Sequence, residues 1–139
     1  MTGADREAAT RTEIQYLVYV TAFTGLLWIP YVLDRFVTWG IADTVGYPAQ
    51  PKPQSPWAER LMKAHRNAVE NLVVFAALVL AAQAAAVSNG AIAGAAVLYF
   101  WARVVHAAAY TFAVPWLRTL GFVGGFAAQA AIAWQILAR

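Results

Sequence analysis

Cysteine is absent from the chain, which rules out disulfides, thiolate-bound metals and a protein-borne thiol nucleophile together. Any sulfur chemistry has to arrive with a ligand. Charge is scarce as well: 12% of the 139 residues are Asp, Glu, Lys or Arg, against 61% hydrophobic, and the mean hydropathy is +0.53. That balance excludes an ordinary soluble domain. No internal repeat and no pair of interrupted apolar segments occurs, which argues against a transporter.

What the chain does have is apolar runs long enough to cross a bilayer, which takes roughly 17 to 25 residues. Ile14 to Leu33 and Asn71 to Val87 hold no charge, the run from Ala91 to about Ala113 is interrupted only by Arg103 and His106, and Thr119 to Ala138 closes the series. The first run is too long for the h-region of a signal peptide, and no small-residue cleavage site follows it. The expectation is an all-α, integral membrane four-helix bundle in one domain, 1–139, with helices over about 14–37, 57–87, 91–113 and 116–138.

Residues 39–56 hold four of the six prolines and no helical period, so they read as an extended loop, and their PxxP spacings as plain loop. Ser55-Pro56 reads as an N-cap followed by proline at the first helical position, starting the second helix in water. Pro30 is expected to kink the first helix near its inner end. Ser88-Asn89-Gly90 makes an antiparallel hairpin of the second and third helices, and Pro115 separates the third from the fourth. Gly90-x-x-x-Gly94 and Gly121-x-x-x-Gly125 read as tight packing within a bundle or oligomer.

The net charge of +3 reflects topology more than nucleic-acid binding. Arg35, Lys52, Arg60, Lys63, Arg66, Arg103 and Arg118 fall on one side, leaving Arg6, Arg11 and Arg139 on the other. By the positive-inside rule the first side is cytoplasmic and both termini lie outside, with anionic headgroups as a further partner. The setting expected is a multi-pass protein of a bacterial inner membrane.

Ionisable groups near a bilayer centre cost on the order of 2.5 to 3.5 kcal/mol each on insertion scales, so they normally face a bundle interior or a wet cavity. Lys63, Arg66, Asn67 and Glu70 follow i, i+3, i+4, i+7, and Tyr99, Arg103, His106 and Tyr110 follow i, i+4, i+7, i+11, so each set lines one helix face. Both stripes are expected to point inward at the cytoplasmic level, joined by Asp34-Arg35 and Arg118-Thr119 from the neighbouring helix ends. Such a cavity suits a small, net-anionic ligand that carries its own ammonium: arginines grip carboxylates and Glu70 takes the amine. The plainer alternatives are that Arg66 and Glu70 neutralise each other at i,i+4 and that the juxtamembrane cations snorkel to headgroups. His65 lies off the stripe and reads as structural.

"AHRNAVEN" (64–71), "ARVVHAAAY" (102–110) and "PWLRTLGF" (115–122) resemble the membrane-associated proteins in eicosanoid and glutathione metabolism, most closely the prostaglandin E synthase branch, over nearly the whole chain from Ile14. The resemblance implies a four-helix membrane bundle assembled as a homotrimer, with glutathione between neighbouring subunits near the cytoplasmic face. Matched position by position, it makes Arg35, Lys63, Arg66, Asn67, Glu70, Arg103, His106 and Tyr110 glutathione-binding, and Arg118 with Thr119 catalytic at the sulfur. No metal is implied. Lys63 stands where several relatives have arginine, and Thr119 where some have serine. The activity implied is a glutathione-dependent transferase or peroxidase acting on a lipophilic electrophile or lipid hydroperoxide, the thiolate stabilised by arginine. A non-catalytic binding or structural subunit of a larger membrane complex is the alternative of another class.

Overall fold

A computed structural model describes residues 2–138 and is all-α, with no strand among those residues. The helices are α1 (Gly3–Leu26), α2 (Trp28–Trp39), α3 (Ile41–Val45), α4 (Pro56–Ala84), α5 (Gly90–Thr111) and α6 (Pro115–Leu137). The continuous stretch Gly3–Trp39, with α4, α5 and α6, makes four spans long and apolar enough to cross a membrane. The chain is an integral membrane protein. Trp57 and Trp116, exposed on the first turns of α4 and α6, suit the headgroup level of the bilayer.

The first helix starts eleven residues before the apolar run, at Gly3 rather than Ile14. Thr2 and Asp5 form a reciprocal capping box that stabilises a start made of polar residues. The break expected from Pro30 falls at Leu27, between α1 and α2. A proline ring collides with the carbonyl four residues back and offers it no N–H, and for Pro30 that carbonyl belongs to Leu26. The 39–56 loop differs from the extended reading: α3 occupies one turn of it, opened by Gly40 at φ +82° and closed by the Gly46 N–H on the Ala42 carbonyl at 2.8 Å. Arg139, counted above on the outer side, lies outside the described residues.

Ser55 does occupy the N-cap of α4, but its hydroxyl makes no cap bond. The buried Asp34 does the fastening instead, its carboxylate accepting from the Ser55 N–H at 3.1 Å and from Gln54 at 3.5 Å. At the other end of the same span, Glu13 is fully buried and accepts from Gln83 and, at 2.8 Å, from the Ser88 hydroxyl. Asn89 caps α5 through Ala91 and Ile92 and donates to Gln135 on α6. Two acidic residues of the first span thus tie down the turns at both ends of the bundle. Ala86 and Ala113 close α4 and α5 in the left-handed region, at φ 55° and 59°, each followed by a residue whose N–H reaches five back, at 2.8 Å.

The apolar core, around Val20, Phe75, Val79, Ile92, Tyr99 and Ile132, fills the half of the bundle near the 85–89 turn. Phe75 and Tyr99 stack with centroids 3.8 Å apart at its floor. Below them the other half is polar, and α6 makes room for it. A Cβ at Gly121 would lie 2.9 Å from the His106 backbone nitrogen, and one at Gly125 would lie 2.8 Å from the Arg103 guanidinium. Gly121-x-x-x-Gly125 therefore serves α5–α6 packing within the chain, whereas a Cβ at Gly90 or Gly94 would meet no other part of the described residues within 4 Å.

Gly121→Ala is expected to destabilise the protein by about 1–3 kcal/mol, because the obstacle is backbone that cannot swing away. Ala86→Gly is expected to stabilise it by up to about 1 kcal/mol by relieving the left-handed alanine. Thermal unfolding in detergent checks both signs.

Candidate functional site

Arg103 is the centre of the polar half. It is 1% exposed, its Nη1 donates to Asn67 Oδ1 at 3.1 Å on α4, and its Nη2 donates to the Gly121 carbonyl at 3.0 Å on α6. Tyr99 and Phe122 lie within cation–π range of it, at 5.7 and 5.8 Å. Among the described residues its Nε has no partner, and no carboxylate pairs with it. Ion pairs among the described residues form on the surface, at Glu7–Arg11 (3.6 Å) and Asp43–Lys52 (4.0 Å). A guanidinium about 12 Å from the end of its helix, counted at 1.5 Å per residue from Thr111, is thus buried without a counter-ion.

The α5 stripe does point inward. Tyr99, Arg103 and His106 are buried, and Tyr110 is half-buried at the rim, its ring 5.7 Å from the His106 ring. The α4 stripe does not. Only Asn67 turns partly into the bundle, while Lys63, Arg66 and Glu70 are exposed. Four residues at i, i+3, i+4 and i+7 cover about 100° of helix surface, and here the inner margin of that sector meets α5 and the rest faces away. Arg66 and Glu70 do not pair with each other, so mutual neutralisation does not account for them.

The helix ends divide the remaining candidates. Arg35 donates to Gln54 Oε1 at 3.1 and 3.3 Å, lies over the Trp39 ring at 4.8 Å, and lines a cavity of about 300 Å³ with Lys52, Glu59 and Lys63. Arg118, exposed on the first turn of α6, lies over the Tyr110 ring at 5.1 Å. These two line a second cavity, of about 250 Å³, together with Arg60. Thr119 is exposed, and its hydroxyl donates to the Pro115 carbonyl at 3.1 Å. The cavities share no lining residue. Within one chain the ten candidates form an interior group (Asn67, Arg103, His106), an outward face (Arg35, Lys63, Arg66, Glu70) and a rim (Tyr110, Arg118, Thr119).

Register places these groups at similar depth. The Arg60 Nε donates to the Thr111 carbonyl at 2.8 Å and Asn67 meets Arg103, so Lys63 stands near the level of His106 and Glu70 about one turn deeper than Arg103. Arg60, outside the ten candidates, lines the second cavity and extends the α4 spacing by one step: 60, 63, 67 and 70. His65 accordingly sits off the stripe, its Nδ1 2.9 Å from the Tyr31 hydroxyl of α2.

Asn67→Leu is expected to destabilise the protein by about 1–3 kcal/mol, since it strands a buried guanidinium nitrogen, whereas Glu70→Gln should change stability by less than about 0.5 kcal/mol in the absence of ligand. Thermal unfolding of both variants measures the difference.

The sequence profile of the MAPEG family matches residues 17–138. Comparison with curated proteins yields no match, and neither does comparison with solved structures.

Proposed function

The chain belongs to the MAPEG family, and from that premise we propose that it is a glutathione-dependent membrane transferase or peroxidase acting on a lipophilic electrophile or lipid hydroperoxide. Membership supports a glutathione-related role of this general type. The observation that carries the reading to this chain is the outward face of α4: Lys63, Arg66 and Glu70 are exposed at bilayer depth with no ion pair among the described residues. Such charges are costly beside lipid and call for a polar occupant. The donor set fits glutathione, whose carboxylates match Lys63, Arg66 and Arg35 and whose ammonium matches Glu70. Glutathione, when bound, supplies the thiol that attacks the electrophile.

The chain's own residues divide the work. Arg103, unable to reach the surface, positions Asn67 through the 3.1 Å bond and holds α6 through Gly121. His106 backs Tyr110, and Tyr110 steadies the Arg118 guanidinium. A guanidinium beside a thiol lowers its pKa by a unit or two, about 1.4 to 2.7 kcal/mol of thiolate stabilisation, and Arg118 is the exposed arginine placed for this. Thr119 serves the sulfur only by giving up its bond to Pro115. Since the outward face and the rim share no cavity in one chain, we assign their union to a neighbouring copy in a homotrimer. An entry for the electrophile from the bilayer past the first and fourth spans is supported by apolar side chains exposed on each, Trp28 on one and Phe122 and Phe126 on the other. The likeness to the prostaglandin E synthase branch rests on the motifs alone, and hydrophobic walls of this sort discriminate weakly among lipophiles.

Calorimetry on the purified protein in detergent should show glutathione binding, weakened at least about tenfold by Glu70→Gln. Arg118→Ala should retain binding and lose the ultraviolet thiolate absorbance, and an unchanged signal rejects that role. Absence of glutathione binding together with co-purification at fixed stoichiometry with an unrelated membrane complex would establish the structural-subunit alternative instead.

A further inference from the structure

The segment that leaves the first span is polar on the inside and apolar on the outside. From Leu33 to Tyr47 every exposed residue is apolar or glycine, while Asp34, Arg35, Thr38, Asp43 and Thr44 are buried or half-buried. Val37, Ile41 and Val45 are exposed to 85%, 74% and 71%, and the Tyr47 ring stands clear of the chain. At 100° per residue, α3 puts Ile41 and Val45 on one side and Asp43 and Thr44 on the other. The polar side is the one fastened to protein: the Thr44 hydroxyl donates to the Arg35 carbonyl at 3.2 Å, and Asp43 pairs with Lys52 at 4.0 Å. A turn bathed in water would present the opposite side. The apolar strip is continuous with the surface of the membrane span itself, through Leu33, Phe36 and Val37 of α2. Ile41 follows Trp39, the last residue of that span, by two positions, which keeps the start of α3 within about 7 Å of the span's end.

We propose that α3 is an interfacial anchor, lying along the bilayer surface with Ile41 and Val45 dipped to the acyl-chain boundary and the Tyr47 ring at headgroup level. Its partner is the lipid interface rather than another protein: a stable protein interface uses about 20–30 residues a side, far more than this single turn supplies. Because the exposed side carries no charge, the anchor is indifferent to headgroup charge. It sets the height of the loop, since the Arg35 carbonyl and the Lys52 ammonium are both tied to its inner side. Ile41, Val45 and Tyr47 take no part in the proposed glutathione chemistry, so the two readings fail separately.

The absence of cysteine makes the test clean, because an introduced thiol is the only one in the chain. Ile41→Cys, Val45→Cys and, as a control at an exposed loop position, Gln50→Cys each carry a nitroxide on the whole protein in phosphatidylcholine vesicles. Collision with oxygen, which concentrates in lipid, is compared with collision with a water-soluble nickel chelate. The labels at 41 and 45 should read depths of roughly 5–10 Å into the headgroup–acyl boundary, and the label at 50 should read water. Nickel access at 41 and 45 equal to that at 50 overturns the proposal. Shielding of both labels from both reagents overturns it as well, since a neighbouring copy or another protein then covers the turn. Phosphatidylcholine with a photoactivatable group near the glycerol end of its acyl chain supplies an arm that needs no variant. Crosslinks to residues 41–47 of the unmodified chain support the anchor, and crosslinks to the chain that omit this segment overturn it.

Discussion

The guanidinium of Arg103 holds the polar half of this bundle together. Among the described residues it is the one side chain of α5 bonded to both α4 and α6, through Asn67 and the Gly121 carbonyl. Gly125 leaves the notch it occupies. A charge buried this far without a carboxylate is held by neutral oxygens and aromatic faces, which stabilise it less than an ion pair but commit it to one position. The register of α4 against α5 follows, and with it the level at which Lys63, Arg66 and Glu70 emerge. The level of the proposed site is therefore set by an interior residue that does not itself reach the surface.

Much of this was legible in the sequence because lipid imposes strong patterns. Uninterrupted apolar runs mark the spans, and Pro30 and Pro115 mark a break and a boundary. The polar stripe of α5 was legible too, since buried Tyr99, Arg103 and His106 recur at helical spacing. The stripe of α4 was legible as a face but not as a direction. Spacing relates residues on one helix to each other and says nothing of which neighbour they meet, so an outward set and an inward set read alike. Asn67, at the margin, belongs to both.

Other parts were hidden for separate reasons. The start of α1 is polar and solvent-facing, so a search for apolar runs passes over it, although Thr2 and Asp5 at the right spacing announced a capping box. The loop helix α3 is a single turn between Gly40 and Gly46, too short for any period to show. Asp34 read as a member of the polar cavity and is instead buried on Gln54 and Ser55, and Glu13 was not singled out; both roles depend on partners from elsewhere in the chain. Arg60 looked like a juxtamembrane cation, and only the contact with Thr111 shows that it is held in place.

The two acidic ties of the first span also impose a schedule on synthesis. Asp34 finds Gln54 and Ser55 only 20 and 21 residues later, so the loop end closes almost as soon as it leaves the ribosome. Glu13 waits for Gln83 and Ser88, 70 and 75 residues later, roughly 4 to 15 s at ordinary elongation rates. Through that interval the nascent first span carries a carboxylate with no protein partner, best kept at the water boundary rather than in lipid. The carboxylate is drawn inside only when the second and third spans arrive as a hairpin, so the same group that seals the finished bundle delays the sealing until the hairpin is present.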